Sequence, residues 1–407
     1  MSVTIGSGHE GNVREQINAY KARVKGGEMG ALPSVLSLFV LTLLFSLLNP
    51  YFLTEGNFAN LLTQTATLMM IAMALVFVLL IAEIDLSAGV TSGVAMALFI
   101  IMTNRWGIDW RISIVAGLLC GAAVGAFIGF FVARVGVPSF VVTLGLFLGF
   151  QGLQLALLGD GGIYRIEVPE IRAVMNDNLP GWMGWAFLAI ALAFITLLGF
   201  YDRKVRSRNG LANRPLSLLY IKIAIIGGVG AVLVALLNTN RSTSMKEISG
   251  VPIVVPIAVT ILFFGTLLLD RTRFGRHLYA VGGNPEAARR AGIKVVQIRI
   301  TAFVLCSTLA VVSGIFNASR VGAVEATAGK AIVLSGVAAA VVGGVSLFGG
   351  RGRLIHAAVG ALVIAIIDNG LGLIGLAAGI NFLVTGGVLI LAATVDAVSR
   401  KRSSATR

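Results

Sequence analysis

The chain has 407 residues, of which 57% are hydrophobic and 12% charged, with a formal net charge of +14. A soluble domain carries about 25% charged residues and keeps its apolar residues in amphipathic stripes. Here they form long unbroken runs with no polar insert long enough to fold alone, which excludes a soluble multidomain protein.

Residues 1–30 are polar and include Arg14, Lys21, Arg23 and Lys25. They lack the short apolar region and small-residue cleavage site of a signal peptide, so they are expected to form a cytoplasmic tail before an uncleaved anchor. A helix needs roughly 20 apolar residues to cross the hydrocarbon. Runs near that length fall at 31–48, 65–82, 86–102, 112–133, 139–158 and 181–200. The second half adds 218–237, 251–269, 300–316, 331–348, 354–367 and 376–395. The expectation is an all-α, polytopic transmembrane bundle of about twelve segments over 31–396. It becomes ten if short runs such as 331–348 and 354–367 are broken or turn back. A basic tail, 397–407, follows.

Charge then orients the chain. With twelve crossings and both termini cytoplasmic, 23 of the 32 Lys and Arg fall in inner segments and eight in outer ones. Lys222, near a helix end, completes the count, and the 18 acidic residues split evenly. A bias confined to Lys and Arg is what the positive-inside rule requires, so the basic charge needs a membrane and no nucleic-acid partner.

The fourth run carries Gly117, Gly121, Gly125 and Gly129, which puts a smooth groove along one helix face. Either a sliding helix or static close packing would use it. Cys120 and Cys306 lie inside apolar runs and read as small core residues, with no disulfide framework.

No enzyme constellation is visible, and no catalytic residue, metal site or cofactor is expected. His9, His277 and His356 are far apart and lack metal-site spacing. The stretch 343–352 is glycine-rich but has no lysine, and GxxxxGK[ST] is absent, so any ATP must be brought by a partner. Every Asp and Glu is read as lying at a segment end or in a loop, which argues against proton-driven transport. The nearest exception is Glu83-Ile-Asp85-Leu-Ser87. Asp85 with Ser87 would cap the next helix, or would line a broken-helix site.

The longest basic connection is 270–299. Within it Asn284 is a good N-cap, Pro285 suits the first helical position, and Glu286 complements the positive helix end. Ala287 and Ala288 propagate and Gly292 stops, so a short two-turn helix is expected. A solvated loop near lipid headgroups and a docking helix for a partner both fit it.

Glu286-Ala-Ala-x3-Gly292 resembles the core of the loop pattern of ABC-importer permeases, without the closing proline. The stretch Thr272-Arg-Phe-Gly-Arg-His-Leu-Tyr-Ala-Val-Gly-Gly-Asn-Pro-Glu-Ala-Ala-Arg289 resembles more closely the permeases of ribose, xylose and galactose importers. Ile84-Asp-Leu-Ser-Ala-Gly89, Gly136-Val-Pro-Ser-Phe-Val-Val-Thr-Leu-Gly145 and Val342-Gly-Gly-Val-Ser-Leu-Phe-Gly-Gly-Arg-Gly352 agree in the family's order. So does Asn369-Gly-Leu followed by Gly386 and Ala393-Thr-Val-Asp396. The likeness spans 60–400, and the extra segments across 181–237 look most like the xylose branch. Two departures stand out: Ala331-Ile-Val-Leu-Ser-Gly336 replaces the usual acidic residue and Ala-Ile-Ala, and Glu83 replaces a common glycine.

The resemblance implies a permease dimer in the bacterial plasma (inner) membrane, cytoplasmic ABC ATPase subunits and an extracytoplasmic sugar-binding protein. It makes Arg276, Gly283, Asn284, Glu286, Ala287, Ala288 and Gly292 the ATPase-coupling set. Asp85, Ser87, Gln151, Gln154, Asn369 and Asn381 are the side chains placed to line a sugar path, and inter-helix hydrogen bonding fits each of them equally. The rival reading is a proton-coupled secondary sugar transporter. Gly265-x4-Asp270-Arg271-x-Arg273 echoes the basic loop of such proteins with its spacing off by one.

Overall fold

In hydrocarbon, unpaired backbone N–H and C=O groups cost several kcal/mol each, so an apolar chain closes its hydrogen bonds within helices. The computed structural model describes residues 32–405 apart from 160, 212, 214, 243, 244 and 246, and the tail expected at 1–30 lies outside them. Among the described residues nine helices are long and apolar enough to cross a membrane, and three shorter apolar helices accompany them.

The chain divides into two compact units. The larger begins with α1 (Leu32–Leu48), α2 (Glu55–Leu79), α3 (Ala88–Ile100) and α4 (Trp110–Phe130). Helices α3 and α4 each end in a π-helical turn, Ile101–Arg105 and Phe131–Val135. Then come α5 (Ser139–Leu158), strand β1 (Ile163–Arg165) and α6 (Pro169–Asn176). The smaller unit holds α7 (Gly181–Arg208) and α8 (Leu216–Leu237). The larger unit resumes with α9 (Val254–Arg271), α10 (Arg273–Gly283), α11 (Pro285–Arg290), α12 (Val295–Val321) and β2 (Ala323–Glu325). It continues with α13 (Ile332–Val342) and α14 (Leu354–Leu373), and α15 (Ala378–Ala405) follows.

Helix α2 is the hub of the larger unit. It is apolar on all sides and buried from Thr65 to Leu79, as a helix in a core should be. Helices α12, α13 and α14 pack around it. The glycine ridge of α4 lies along α12. A Cβ at Gly121 would meet Ser307 O at 2.9 Å, one at Gly125 Phe303 O at 2.4 Å, and one at Gly129 Ile300 Cα at 2.7 Å. The stripe is therefore close helix packing. Polar ties between helices are few: Ser313 Oγ donates to Thr67 O at 2.9 Å, and Asn57 and Asn369 exchange amide hydrogen bonds at 2.9 Å.

Two expectations are sharpened and a third is revised. The run 331–348 forms a helix of only 11 residues, α13. At 1.5 Å per residue that is about 16 Å, roughly half the hydrocarbon thickness. Glycines then turn the chain back: a Cβ at Gly343 would lie 2.0 Å from His356 O, and one at Gly360 1.8 Å from Ala339 O, so α13 and α14 pack backbone to backbone. Secondly, β1 and β2 pair antiparallel, Ile163 with Glu325 and Arg165 with Ala323, a short sheet in an otherwise helical chain. Thirdly, the acidic residues do not all sit at segment ends. Asp368 lies inside α14, because that helix continues six residues beyond the predicted limit at Ile367, and Asp85 is fully buried.

In the smaller unit α7 and α8 form a hairpin packed through Gly199 against Leu219 and Gly230 against Leu188. Its outward side chains, among them Trp182, Leu197, Ile225 and Val229, are exposed. Lipid tails are the solvent such a surface needs.

Candidate functional site

Two regions of the larger unit concentrate polar chemistry, one at each end of α12. That helix has 27 residues, so about 40 Å separates its ends.

The first region is the α10–α11 segment. Asn284 caps α11 as predicted, its Oδ1 accepting from Ala287 N at 2.9 Å. Glu286 pairs with Arg289 at 3.6 Å and Arg290 at 3.4 Å, both solvent-exposed and so worth little to stability. Ala288 is buried against the core, whereas Gly283, Asn284, Glu286 and Ala287 are exposed. Gly292 ends the motif at φ +82°, a left-handed conformation that a side chain would strain. Arg276 is exposed on α10. That amphipathic helix was not anticipated; it buries Gly275, Leu278 and Val281 on one face.

Helix α10 seats this segment on two turns. A Cβ at Gly282 would come within 1.7 Å of Leu80 O, and Leu80 O itself accepts from Gly350 N at 2.8 Å. Ala82, at φ +58°, bends the chain after α2 in a conformation that non-glycine residues rarely adopt. Tyr279 Oη donates to Gly352 O at 2.7 Å. Burial pushes the Tyr279 phenol up to about 12, with Asp270 adding to the shift and Arg353 opposing it. Arg353 pairs with Asp270, and Arg299 with Glu83 at 3.5 Å. One short helix thus touches both the α2–α3 turn and the glycine-rich turn at 343–352.

The second region is a cavity of about 440 Å³ between α2, α12, α13 and α14. Asn60 and Gln64, one turn apart on α2, face it with Thr67 and Leu68. Asn317 and Arg320 come from α12, Ile332 and Ser335 from α13, and Ala365, Asp368, Asn369, Gly372 and Leu373 from α14. A smaller cavity of about 120 Å³ adjoins it, sharing Asn317 and Ile332.

Of the predicted path residues only Asn369 reaches the large cavity. Asp85 is sealed: its Oδ1 accepts from Ser87 N at 2.9 Å and Ser87 Oγ at 2.6 Å, and Cys306 Sγ lies 3.7 Å from Oδ2. Ser87 makes no capping bond of its own. Gln154 is buried, donating to Val90 O at 3.0 Å, with its Oε1 unpartnered against Gly93. Gln151 and Asn381 are half-buried, and Asn381 Oδ1 has no partner. Missed were Asn60, Gln64, Asn317, Arg320, Ser335 and Asp368. Starting the second segment at Thr65, ending the ninth at Phe316 and ending the eleventh at Ile367 left five of them in loops. The Asn60–Gln64 and Asn317–Arg320 spacings were the available signal. Among the described residues no group of His, Cys, Asp or Glu could hold a metal.

The family described as branched-chain amino acid transport system / permease component matches residues 57–393. A xylose transport system permease protein from Haemophilus influenzae is 32% identical over 351 residues, 86% of this chain and 91% of its own length. The Escherichia coli K12 protein of the same description is 32% identical over 353 residues, 86% and 87% of the two chains. A ribose import permease protein from Bacillus subtilis is 31% identical over 391 residues, 96% and 99% of the two chains. No solved structure matches the chain.

Proposed function

The chain belongs to the branched-chain amino acid transport system / permease component family, and from that premise we propose that it is the membrane permease subunit of an ATP-driven ABC importer for a monosaccharide of the xylose type. The xylose and ribose permeases among its relatives support the sugar class. Both termini and the α10–α11 segment face the cytoplasm of a bacterium, in its inner membrane. Partner ATPase subunits bind the exposed face around Arg276, Gly283, Asn284 and Glu286. An extracytoplasmic sugar-binding protein delivers the solute, and a second copy of the permease completes the path.

The observation that carries this reading is the seating of α10. Leu80 O accepts from Gly350 N and packs closely against Gly282, and Tyr279 reaches Gly352, so force applied to α11 passes to the ends of α2 and α14. A packed, hydrogen-bonded contact of this kind transmits displacement because tightly packed elements do not deform continuously.

Asp368 within α14 favours one rival, a proton-coupled carrier, since intramembrane carboxylates commonly serve proton pathways. The test reconstitutes the chain alone and with its ATPase and binding protein. D-xylose accumulation with ATP and the complete set supports the importer. Accumulation by the chain alone under a proton gradient overturns it. Gly292→Pro is expected to leave assembly intact and abolish uptake per ATP hydrolysed, because proline cannot adopt φ +82°.

A further inference from the structure

The large cavity holds six polar side chains, Asn60, Gln64, Asn317, Arg320, Ser335 and Asp368, that make no side-chain hydrogen bond or ion pair among the described residues. Asn60 and Arg320 are exposed and Gln64, Asn317, Ser335 and Asp368 half-buried, so the six line a space open to solvent, where their polar groups are available to an occupant. Asp368 and Arg320 face that space from α14 and α12, near enough to attract each other without forming a direct ion pair. Their charges balance, which suits a neutral solute. A carboxylate accepts only, a guanidinium donates only, and carboxamides do both. That mixture matches a molecule whose every hydroxyl is donor and acceptor at once. The volume of about 440 Å³ lies within the range of roughly 300–1,000 Å³ of small-molecule sites.

We propose that this cavity is a station that holds one unphosphorylated monosaccharide in transit, its hydroxyls bridging the Asp368 carboxylate and the Arg320 guanidinium. The choice of sugar rests on the importer reading above; the geometry of the station does not. A zwitterionic amino acid would also place opposite charges on Arg320 and Asp368. It offers few partners to Asn60, Gln64, Asn317 and Ser335, whereas a pyranose ring carries enough hydroxyls to offer one to each. The weak, multi-donor character of such a site suits passage, which needs entry and release alike.

The test uses thiol protection on the purified full-length chain. With Cys120→Ser and Cys306→Ala as background, Asn317→Cys is labelled by a hydrophilic methanethiosulfonate. D-xylose or D-ribose at several times its dissociation constant is expected to slow labelling at least about fivefold, following simple occupancy. L-leucine is expected to have no effect. Asp368→Asn and Arg320→Gln, checked for folding by size-exclusion elution, should each abolish protection. Ser335→Cys serves as the probe if Asn317→Cys does not fold. Absence of sugar protection at a reachable thiol overturns the station, as does protection by leucine alone or protection indifferent to both charge variants. ATP-driven uptake is measured in parallel. Protection without ATP-driven uptake retires the importer and keeps the station; unchanged uptake per ATP in both variants does the reverse.

Discussion

Glu83 and Arg299 form an ion pair at 3.5 Å that ties the α2–α3 turn to the second turn of α12, with both side chains largely buried. Removing one charge strands the other. Glu83→Gln is expected to cost about 2–3 kcal/mol, below the roughly 3–5 kcal/mol of a fully buried pair because Arg299 keeps some solvent contact. The swapped double variant Glu83→Arg with Arg299→Glu should recover most of the loss. Thermal unfolding of the detergent-solubilised chain reads both.

Asn57 and Asn369 donate to each other at 2.9 Å, clamping α2 to α14 beside the cavity. Asn57→Leu leaves the Asn369 amide buried without its partner, at a cost of about 1–3 kcal/mol. The double variant Asn57→Leu with Asn369→Leu should cost clearly less than the sum of the singles. Additive losses in the double-variant cycle would show that the two amides do not act as a unit.

Gly125 and Gly145 should respond to alanine with opposite signs. At Gly125 the new methyl would sit 2.4 Å from Phe303 O and 2.6 Å from Val304 Cα, both backbone atoms that cannot step aside. Overpacking there is expected to cost about 1–3 kcal/mol. At Gly145 nothing lies within 4 Å, and alanine should stabilise the helix by up to about 1 kcal/mol. Paired melting temperatures decide it.

Tyr279 gives a pH signature. Its phenol titrates at about 12 in the folded chain, against about 10 when unfolded. The folded state therefore holds the proton more tightly, and the contribution to stability is complete below pH about 10 and lost as pH rises towards about 12. Tyr279→Phe should abolish that alkaline loss and lower stability at neutral pH by about 1 kcal/mol, the worth of the bond to Gly352 O. A stability–pH series on the two proteins makes the comparison.

Local physics made much of this protein legible in its sequence. Apolar runs in lipid have no choice but helix, so the all-α bundle followed from hydropathy alone. The Asn284 cap, the short α11 and its stop at Gly292 rest on bonds within a few residues, and spacing is enough to read those. The glycine ridge of α4 announced a close neighbour without saying which. Tertiary structure decided the rest. That 331–348 could be broken or turn back was already open in the sequence; that its 11-residue helix packs through Gly343 and Gly360 against the backbone of α14 is a contact no local pattern encodes. The cavity is assembled from residues between Asn60 and Leu373, drawn from four helices. The Asn60–Gln64 and Asn317–Arg320 spacings hint at polar helix faces, but only packing brings Asp368 and Arg320 to line one space. A chain pattern reports what a residue does to its own backbone, whereas a site between helices is a property of their relative placement.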